Sequence, residues 1–359
     1  MKEPVLIIGG GPAGMARALA LHRGGVKSRI VDARPRGAGK NDARILALAH
    51  GSRLILETLG VWGDIPHTPI ATIHVSHAGG LGRTVLRAAE EQVPALGYVL
   101  SASDLAAALD AAVAATGIAY ADNTAAPERS DALLTVHAEG RIDDNPGIRA
   151  REYGQHAVIC MARGSIPHGH VAWERFTPAG PVALLPCGDG YAVVLTVPAA
   201  DSERIAALDD PAFLGLLQTR FGPRVRLAGV GPRQVWPLGL RLRENTIGAR
   251  EVWIGNAAQT LHPVAGQGFN LALRDIAELA DTLADAADPG EAALLARYAA
   301  RRRLDRFATV GFTDTLARLF SNDLPPLRHL RGAGLLALDL FPPARSFPAR
   351  RMMFGARGW

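Results

Sequence analysis

Cysteine is scarce in this chain: Cys160 and Cys187 are the two that occur among 359 residues, and both lie in apolar segments. We therefore expect reduced, buried thiols and neither a disulfide framework nor a cysteine-based metal site. Charged residues make up 20% of the chain and aromatic residues 6%, whereas 48% of it is hydrophobic. This balance argues against disorder and predicts a core large enough for two lobes.

Long hydrophobic runs are also missing. The longest late run, Gly332–Phe341, is too short to span a bilayer, and the N-terminus leads directly into an apolar strand rather than a signal peptide. We therefore expect a cytoplasmic protein. The late run predicts either a helix lying on the inner membrane surface or a core-packed helix with a solvated basic face. Its basic neighbours are Arg328, Arg331, Arg345, Arg350, Arg351 and Arg357.

Two further kinds of site are not expected. The formal net charge of +5 comes without a nucleic-acid-binding motif, so we expect no nucleic-acid partner. His67, His74 and His77 lack the spacing and acidic neighbours of metal ligands, so we expect no metal site. The run Arg301–Arg303 is interpreted as a solvated helix face.

The N-terminal segment has the pattern of a dinucleotide-binding βαβ unit. Pro4–Ile8 is a continuous apolar run typical of a buried parallel strand, and a G-x-G-x-x-G turn follows it. A helix over Met15–Arg23 and a strand over Ser28–Val31 then lead to Asp32. The glycines of the turn are Gly9, Gly11 and Gly14. They permit a tight turn close to a pyrophosphate, and the terminal acid can bind ribose hydroxyl groups.

A second glycine-rich segment lies far downstream, over Gly255–Asp275. It predicts a short strand, a turn of small residues and a helix that begins near Gly266–Asn270, where free N–H groups favour an electron-rich ligand edge. The first motif serves FAD and NAD alike. Two motifs together favour FAD, because the isoalloxazine ring extends beyond the ADP half and needs contacts of its own.

The two motifs resemble those of the FAD-dependent aromatic hydroxylases, the group of para-hydroxybenzoate hydroxylase. Within that group, the chain is most similar to the hydroxylases of ubiquinone biosynthesis, in particular the branch of the 2-polyprenyl-6-methoxyphenol 4-hydroxylases, through Gly255–Pro263. The resemblance extends along nearly the whole chain. Further matching segments are Asp42–Arg44, Trp173–Phe176, Gly180–Pro186, Trp236–Leu238, Asp305-Arg306, Thr313-Asp314, Leu319-Phe320 and Phe341–Arg345.

The resemblance implies roles for individual residues. Those implied for the ADP half of FAD are Gly9, Gly11, Gly14 and Asp32. Arg44 would lie along the pyrophosphate and ribityl region, and Gly255 with Asn256 would meet the ribityl chain. The residues implied to border the flavin ring are Pro263, Gly266, Gln267, Gly268, Phe269 and Asn270. No catalytic residue can be named.

The chain departs from its relatives before the segment Leu133–Gly140. There Glu139 stands where relatives have an aspartate that contacts FAD, and it is one methylene longer. Gly117–Asp122 is predicted as one strand and Asn123–Ser130 as a loop, so the antiparallel meander of the relatives is mostly missing. We expect an α/β fold with a trimmed Rossmann-type FAD-binding domain, an antiparallel-sheet substrate domain and C-terminal helices.

Domain boundaries follow from these assignments. The FAD-binding domain is expected over residues 1–70, 101–150 and 246–300, the substrate domain over 71–100 and 151–245, and the helical region over 301–359. Trp173, Phe176, Leu184 and Trp236 are candidate walls of the substrate pocket. An aromatic residue on a strand is more often plain core.

The resemblance also implies a function. It predicts a monooxygenase that hydroxylates a polyprenylated phenol in ubiquinone biosynthesis, using FAD, NAD(P)H and dioxygen through a flavin C4a-hydroperoxide. One alternative is a FAD monooxygenase that acts on another aromatic compound. Another is a catalytically weakened accessory protein of a quinone-biosynthesis complex, because Asn256 and Glu139 depart from the family pattern and the meander is mostly missing.

Overall fold

The computed structural model describes residues 5–78, 82–142, 146–261, 266–320 and 325–356, and it describes no side chains between residues 317 and 331. His262 and Pro263 lie outside the described residues, so the implied place of Pro263 beside the flavin ring stays a prediction. The side chains of Arg328, Arg331 and Arg357 also lie outside the described part.

The strands alternate with helices in the first third of the chain and dominate its middle. The strands are β1 (Val5–Ile8), β2 (Ser28–Val31), β3 (Ile45–Ala49), β4 (His67–Ile70), β5 (Thr72–His77), β6 (Arg83–Arg87), β7 (Gly97–Ser101), β8 (Ala119–Ala121), β9 (Leu134–His137), β10 (Ile148–Gly164), β11 (Val171–Phe176), β12 (Val182–Cys187), β13 (Gly190–Pro198), β14 (Leu227–Val230), β15 (Gln234–Arg243), β16 (Ile247–Gly248), β17 (Glu251–Trp253) and β18 (Gln259–Thr260).

The last part of the chain is helical. The helices are α1 (Pro12–Arg23), α2 (His50–Thr58), α3 (Ala102–Thr116), α4 (Ser202–Ala206), α5 (Asp210–Phe221), α6 (Gly268–Leu283), α7 (Ala292–Phe320), α8 (Pro325–Leu340) and α9 (Pro342–Phe354).

The first sheet has the strand order β16-β17-β9-β1-β2-β8, and all of its neighbours except β16 and β17 are parallel. β1 lies near its middle and is buried along its whole length, as its apolar run predicts. α1 begins at Pro12 rather than at the predicted Met15, since proline suits the first position of a helix. α1, α3 and α6 share the main core with this sheet.

The predicted loop between β8 and β9 is confirmed. Residues 122–133, between β8 and β9, contain neither helix nor strand. The chain therefore passes from one edge of the first sheet to β9 through a loop, and the trimming relative to the family stays a prediction.

A second, mainly antiparallel sheet forms the middle of the chain. Its order is β18-β15-β10-β13-β12-β11-β5-β6, with β14 also paired to β10 and β11 parallel to β5. One of its faces packs on α4 and α5 in a core of its own. Cys160 is buried in that core and Cys187 is half-buried, and both are free thiols.

The segment 71–100 is divided between two sheets. β5 and β6 join the large sheet as expected for substrate-domain strands, whereas β7 pairs with β3 and β4 in a separate sheet. The domain division itself stays a prediction.

The C-terminal helices lie over the other face of the large sheet. α8 packs on β5 and β6, and α9 packs on α2 and α8. None of the helices in the described part of the chain combines the length and the apolar character needed to cross a membrane.

Candidate active site

The turns that follow three neighbouring strands lie together at the carboxyl edge of the first sheet. β1 ends in the turn that begins at Gly9, β9 leads to Glu139, and β17 leads to Gly255. Ala138 N donates a hydrogen bond to Ile8 O (2.8 Å), which joins the first two turns. Open α/β sheets bind their ligands in the crevice outside this edge.

Two glycines at the turn after β1 leave no room for a side chain. Gly9 has a φ of +104°, and a Cβ there would lie 2.7 Å from the Ala138 oxygen. A Cβ on Gly14 would lie 1.8 Å from the Gly9 oxygen, so this glycine allows α1 to approach the turn. Gly11 is the N-cap of α1, and no side chain caps that first turn. The first N–H groups of α1 are thus available to an anion such as a pyrophosphate.

Asp32 directly follows β2 and lies beside this turn. Its carboxylate accepts hydrogen bonds from Gly10 N (2.6 Å) and Arg34 N (2.8 Å) and pairs with the Arg34 guanidinium at 3.1 Å. Burial opposes ionisation of Asp32, but the Arg34 and Gly10 hydrogen bonds outweigh it and lower the pKa. Asp32 is therefore an anion held where the motif predicts ribose binding. The Arg34 side chain is 58% exposed, so it has room to make way for a ribose hydroxyl.

Glu139 lies beside an imidazole at the same edge. Its Oε1 is 3.5 Å from His137 Nδ1, and Glu251 Oε1 is 3.4 Å from Nε2 of the same ring, which stacks on Trp253. Burial opposes protonation of His137, but the two carboxylates outweigh it and raise the pKa. Glu139 thus contacts His137, and its contact with FAD stays a prediction.

The turn after β17 fits between two helices. Gly255 has a φ of +58°, and a Cβ there would lie 3.3 Å from the Cβ of Ala13 in α1 and 3.5 Å from that of Ala272 in α6. Asn256 Nδ2 donates to Gly140 O at 3.2 Å. Asn256 therefore joins the turns after β9 and β17, and its role at the ribityl chain stays a prediction.

Asn270 holds the start of α6. Its Oδ1 accepts hydrogen bonds from Ala49 N (2.7 Å) and the Ser52 hydroxyl (2.6 Å). Its Nδ2 donates to Ala47 O (3.0 Å) and Gly266 O (2.7 Å). Because this buried amide makes all these bonds inside the protein, it shapes the predicted ring site by tying α6 to β3 and α2.

The other residues expected at the ring site have different surroundings. Gly266 has a φ of +58° and lies beside Ala47 of β3. Gln267 is buried, and Gly268 begins α6 with open space where a Cβ would stand. Phe269 packs against the main core. The structure brings this segment to β3, and its contact with the flavin stays a prediction.

Arg44 lies at the surface between β3 and β15. Its guanidinium pairs with Asp42 (2.5 Å) and lies 5.8 Å from the centre of the Trp236 ring. The hydrogen bonds to Asp42 raise the pKa of Arg44. Its position along the FAD pyrophosphate stays a prediction.

A buried ionic network joins the downstream motif to the C-terminal helices. Gln259 Nε2 donates to Asp275 Oδ2 (2.9 Å), and Arg302 Nε donates to Asp275 Oδ1 (2.7 Å). Arg302 Nη1 lies 2.8 Å from Asp305 Oδ2, which also accepts from Arg274 Nε at 2.8 Å. The network therefore links β18, α6 and α7.

The interpretation of Arg301–Arg303 as a solvated face is wrong for Arg302. This residue is 7% exposed, whereas Arg301 and Arg303 are exposed. The reason is helical periodicity: α7 turns Arg302 and Asp305, three positions apart, toward α6.

An apolar cavity of about 960 Å³ lies between the large sheet, β3, the start of α6 and the C-terminal helices. Its sheet wall includes Ile73 and Phe176, its helix wall includes Leu335 and Leu338, and Gly266 lies at its α6 end. The cavity thus extends from the predicted ring site to α8 and α9.

The four candidate pocket walls separate into two pairs. Trp173 and Phe176 border the cavity, although the Trp173 ring contacts His74 and Phe221. Leu184 and Trp236 do not line it. Leu184 is fully buried in the core on the other face of the sheet, because side chains alternate along a strand, and Trp236 is 40% exposed beside Arg44.

These residues fit FAD. The tight glycine turn, the uncapped start of α1 and the Asp32 carboxylate suit the ADP half, and the turn at Gly255 continues the crevice toward α6. The fold and the site define a flavin-dependent enzyme with the two-lobed fold of para-hydroxybenzoate hydroxylase.

Comparison with known proteins agrees with this class. The model of the FAD binding domain family matches residues 2–151 and 157–313. The ubiquinone hydroxylase UbiL of Rhodospirillum rubrum is 35% identical, over 97% of this chain and 89% of that protein. The 3-demethoxyubiquinol 3-hydroxylase of Escherichia coli K12 is 29% identical, over 93% of this chain and 94% of its own.

Among solved structures, p-nitrophenol 4-monooxygenase PnpA of Pseudomonas putida DLL-E4 has a TM-score of 0.80 over 99% of each chain at 16% identity. This likeness shows the fold. The chain belongs to the FAD binding domain family, and it is a FAD-dependent aromatic monooxygenase. The predicted fold class and cofactor are therefore confirmed.

Some residues of the site were missed in the sequence. Tyr120 OH donates to Gly10 O (3.3 Å) beside the nucleotide turn, and burial raises the pKa of Tyr120 to about 12. The share of α8 and α9 in the cavity was not predicted either. Glu174 lies on the sheet wall of the cavity. The sequence could have indicated this residue, because an acid at a core-facing strand position is unusual.

Proposed function

We propose that the protein hydroxylates a polyprenylated phenol in ubiquinone biosynthesis, with FAD, NAD(P)H and dioxygen. The observation that carries this proposal is the apolar cavity of about 960 Å³ that starts at Gly266–Asn270 and ends among α8 and α9. The names of the two relatives, which are hydroxylases of ubiquinone or its precursor, support the same pathway.

The size and the chemistry of the cavity favour a substrate with a hydrocarbon tail. Pockets for small ligands have volumes of roughly 300 to 1,000 Å³, so this cavity is at the upper end. A simple phenol would leave most of the apolar wall uncovered, whereas a prenyl chain would bury it. We therefore infer that the ring lies near α6 and the tail runs toward the C-terminal helices.

The protein and the cofactor have separate tasks in this proposal. Bound FAD, with electrons from NAD(P)H, would activate dioxygen, and dioxygen would supply the oxygen atom. Gly9–Gly14 and Asp32 hold its ADP half, and Asn270 keeps the start of α6 against β3. The apolar wall around Phe176 and Leu335 orients the ring and excludes water.

The tail end of the cavity carries exposed apolar side chains. Leu340 is 73% exposed, Phe341 61% and Phe347 68%, and Phe341 also lines the cavity. The Arg351 guanidinium lies 5.9 Å from the Phe347 ring centre. Apolar and basic groups together suit an anionic membrane surface, so we propose a peripheral contact with the inner membrane here.

One experiment tests the proposal and its alternatives. The purified protein is reconstituted with FAD, and NAD(P)H oxidation and product formation are measured with a polyprenylphenol and with simple phenols. The proposal expects a yellow protein that forms hydroxylated product from the polyprenylphenol. Faster product formation from simple phenols would favour another aromatic substrate. A protein that stays colourless with added FAD would favour the accessory role suggested by Asn256 and Glu139.

A further inference from the structure

Glu174 is an acidic residue in the middle of the sheet wall of the cavity. It lies on β11 opposite Val75 of β5 and Ala183 of β12, and these pairs extend to Thr84 of β6 and Val194 of β13. All five residues line the cavity. The carboxyl therefore stands at the centre of a row of uncharged side chains on one face of the sheet.

The carboxyl of Glu174 has no hydrogen-bond or ion-pair partner among the described residues. The other charged residue in the described wall is Arg345 of α9, whose guanidinium pairs with Glu90 (2.7 Å) and lies 3.6 Å from Asp339. The remaining described lining from β5, β6, β12, β13, α7 and α8 is uncharged. Glu174 is half-buried, and a carboxyl that faces apolar side chains without a partner is destabilising, so packing gives no reason for an acid here.

The apolar surroundings also bring the proton affinity of this group into a useful range. Burial raises the pKa of Glu174 to about 8. A carboxyl in this range gains and loses its proton near neutral pH, and that property suits a general base for a weakly acidic hydroxyl group.

We propose that Glu174 binds the hydroxyl group of the aromatic substrate and removes its proton. The phenol O–H bond breaks, an O–H bond forms at the Glu174 carboxylate, and the electron pair stays on the phenolate oxygen. The phenolate ring is richer in electrons than the neutral ring, so it accepts an electrophilic oxygen atom more readily. This role rests on the proposed hydroxylation and makes Glu174 a catalytic residue.

The first test compares Glu174→Gln with Glu203→Gln, which makes the same change on an exposed residue of α4. We expect Glu174→Gln to lower kcat/KM with a polyprenylphenol by about 100-fold or more, the range of general-base effects. The kcat/KM of the native protein should rise with pH through the Glu174 titration, and this limb should be missing in Glu174→Gln. FAD absorbance and circular dichroism check that both variants are folded.

The second test needs neither FAD nor turnover. Trp173 borders the cavity, so its fluorescence can follow the binding of a polyprenylphenol and of its methyl ether. The native protein should prefer the phenol, and Glu174→Leu should lose that preference, roughly tenfold for one hydrogen bond to a charged group.

The outcomes separate the two proposals. Hydroxylation by the native protein with an unchanged rate and pH profile in Glu174→Gln would overturn the role of Glu174 and leave the proposed function standing. A flavin-loaded native protein that forms no product from the polyprenylphenol would overturn the proposed function, and the base role with it. Equal preference for phenol over ether in Glu174→Leu and the native protein would also count against Glu174.

Discussion

Replacing Arg302 by alanine should strongly destabilise the protein. Its guanidinium joins two buried carboxylates, Asp275 at 2.7 Å and Asp305 at 2.8 Å, and the side chains of all three residues are less than a tenth exposed. The truncation would leave both carboxylates with fewer partners inside the protein. The network also holds Gln259, so the damage would reach the segment that follows β17.

The magnitude follows from what remains after the substitution. Removing one partner of a buried ion pair costs about 3–5 kcal/mol. Arg274 still pairs with Asp305 at 2.8 Å, and Gln259 still donates to Asp275 at 2.9 Å. Because these partners partly compensate, we expect Arg302→Ala to lower the free energy of unfolding by about 3 kcal/mol, the lower end of that range.

Chemical denaturation followed by circular dichroism measures this difference. Arg303→Ala is the matched control, since Arg303 is the next residue of α7 and is exposed. It should change the free energy of unfolding by no more than about 0.5 kcal/mol. If Arg302→Ala and Arg303→Ala were equally stable, the network would not contribute as the geometry implies.

Three further substitutions test the nucleotide turn, the start of α6 and the response to acid. Gly14→Ala should weaken FAD binding by about tenfold or more, because the new Cβ would lie 1.8 Å from a backbone oxygen. Gly63→Ala is the control and should leave FAD binding unchanged, because there is open space around Gly63. Asn270→Ala should lower the free energy of unfolding by about 1–3 kcal/mol, because it leaves buried backbone groups unpaired. It should also lower FAD occupancy. Burial opposes ionisation of Asp305, but Arg274 and Arg302 outweigh it and lower the pKa of this carboxyl. The ionised carboxylate therefore stabilises the protein above the unfolded pKa of about 4, and this stabilisation is lost as the pH falls through the lower pKa of the folded state. In Asp305→Asn the free energy of unfolding should depend less on pH in this acid range.

Fluorescence titration with FAD tests Gly14→Ala, denaturation at fixed pH tests Asn270→Ala, and denaturation across a pH series tests Asp305→Asn. Equal FAD affinity in Gly14→Ala and Gly63→Ala would refute the close approach of α1 to the turn. Native-like stability of Asn270→Ala would show that the amide does not hold α6. If the free energy of unfolding of Asp305→Asn fell with acid as steeply as that of the native protein, other carboxyls would account for the loss of stability.

Much of the nucleotide site could be predicted from the sequence because its determinants are local. The run Pro4–Ile8, the glycine spacing and Asp32 specify strand, turn and ribose-side acid within one βαβ unit. The start of α5 (Asp210–Phe221) is likewise set locally, since Asp209 accepts from Ala212 N as the helix cap. In such segments the neighbours along the chain supply most of the information.

The substrate end could not be predicted in the same way. Leu184 and Glu174 lie on neighbouring strands, yet one faces the inner core and the other the cavity, and only strand register separates them. Arg302 looks like its neighbours in the sequence, and its partner Asp275 comes from α6.

The sequence by itself determined the cofactor, the Rossmann-type turn and the family, because short motifs with fixed spacing carry them. Tertiary structure alone decided which residues line the proposed substrate cavity: it brought α8 and α9 over the sheet face of β5, β6 and β11 and enclosed a cavity between them. It also decided that Glu174 faces that cavity, where none of the described residues pairs with its carboxyl. Such placements depend on contacts between segments far apart in the chain, and no local pattern encodes them.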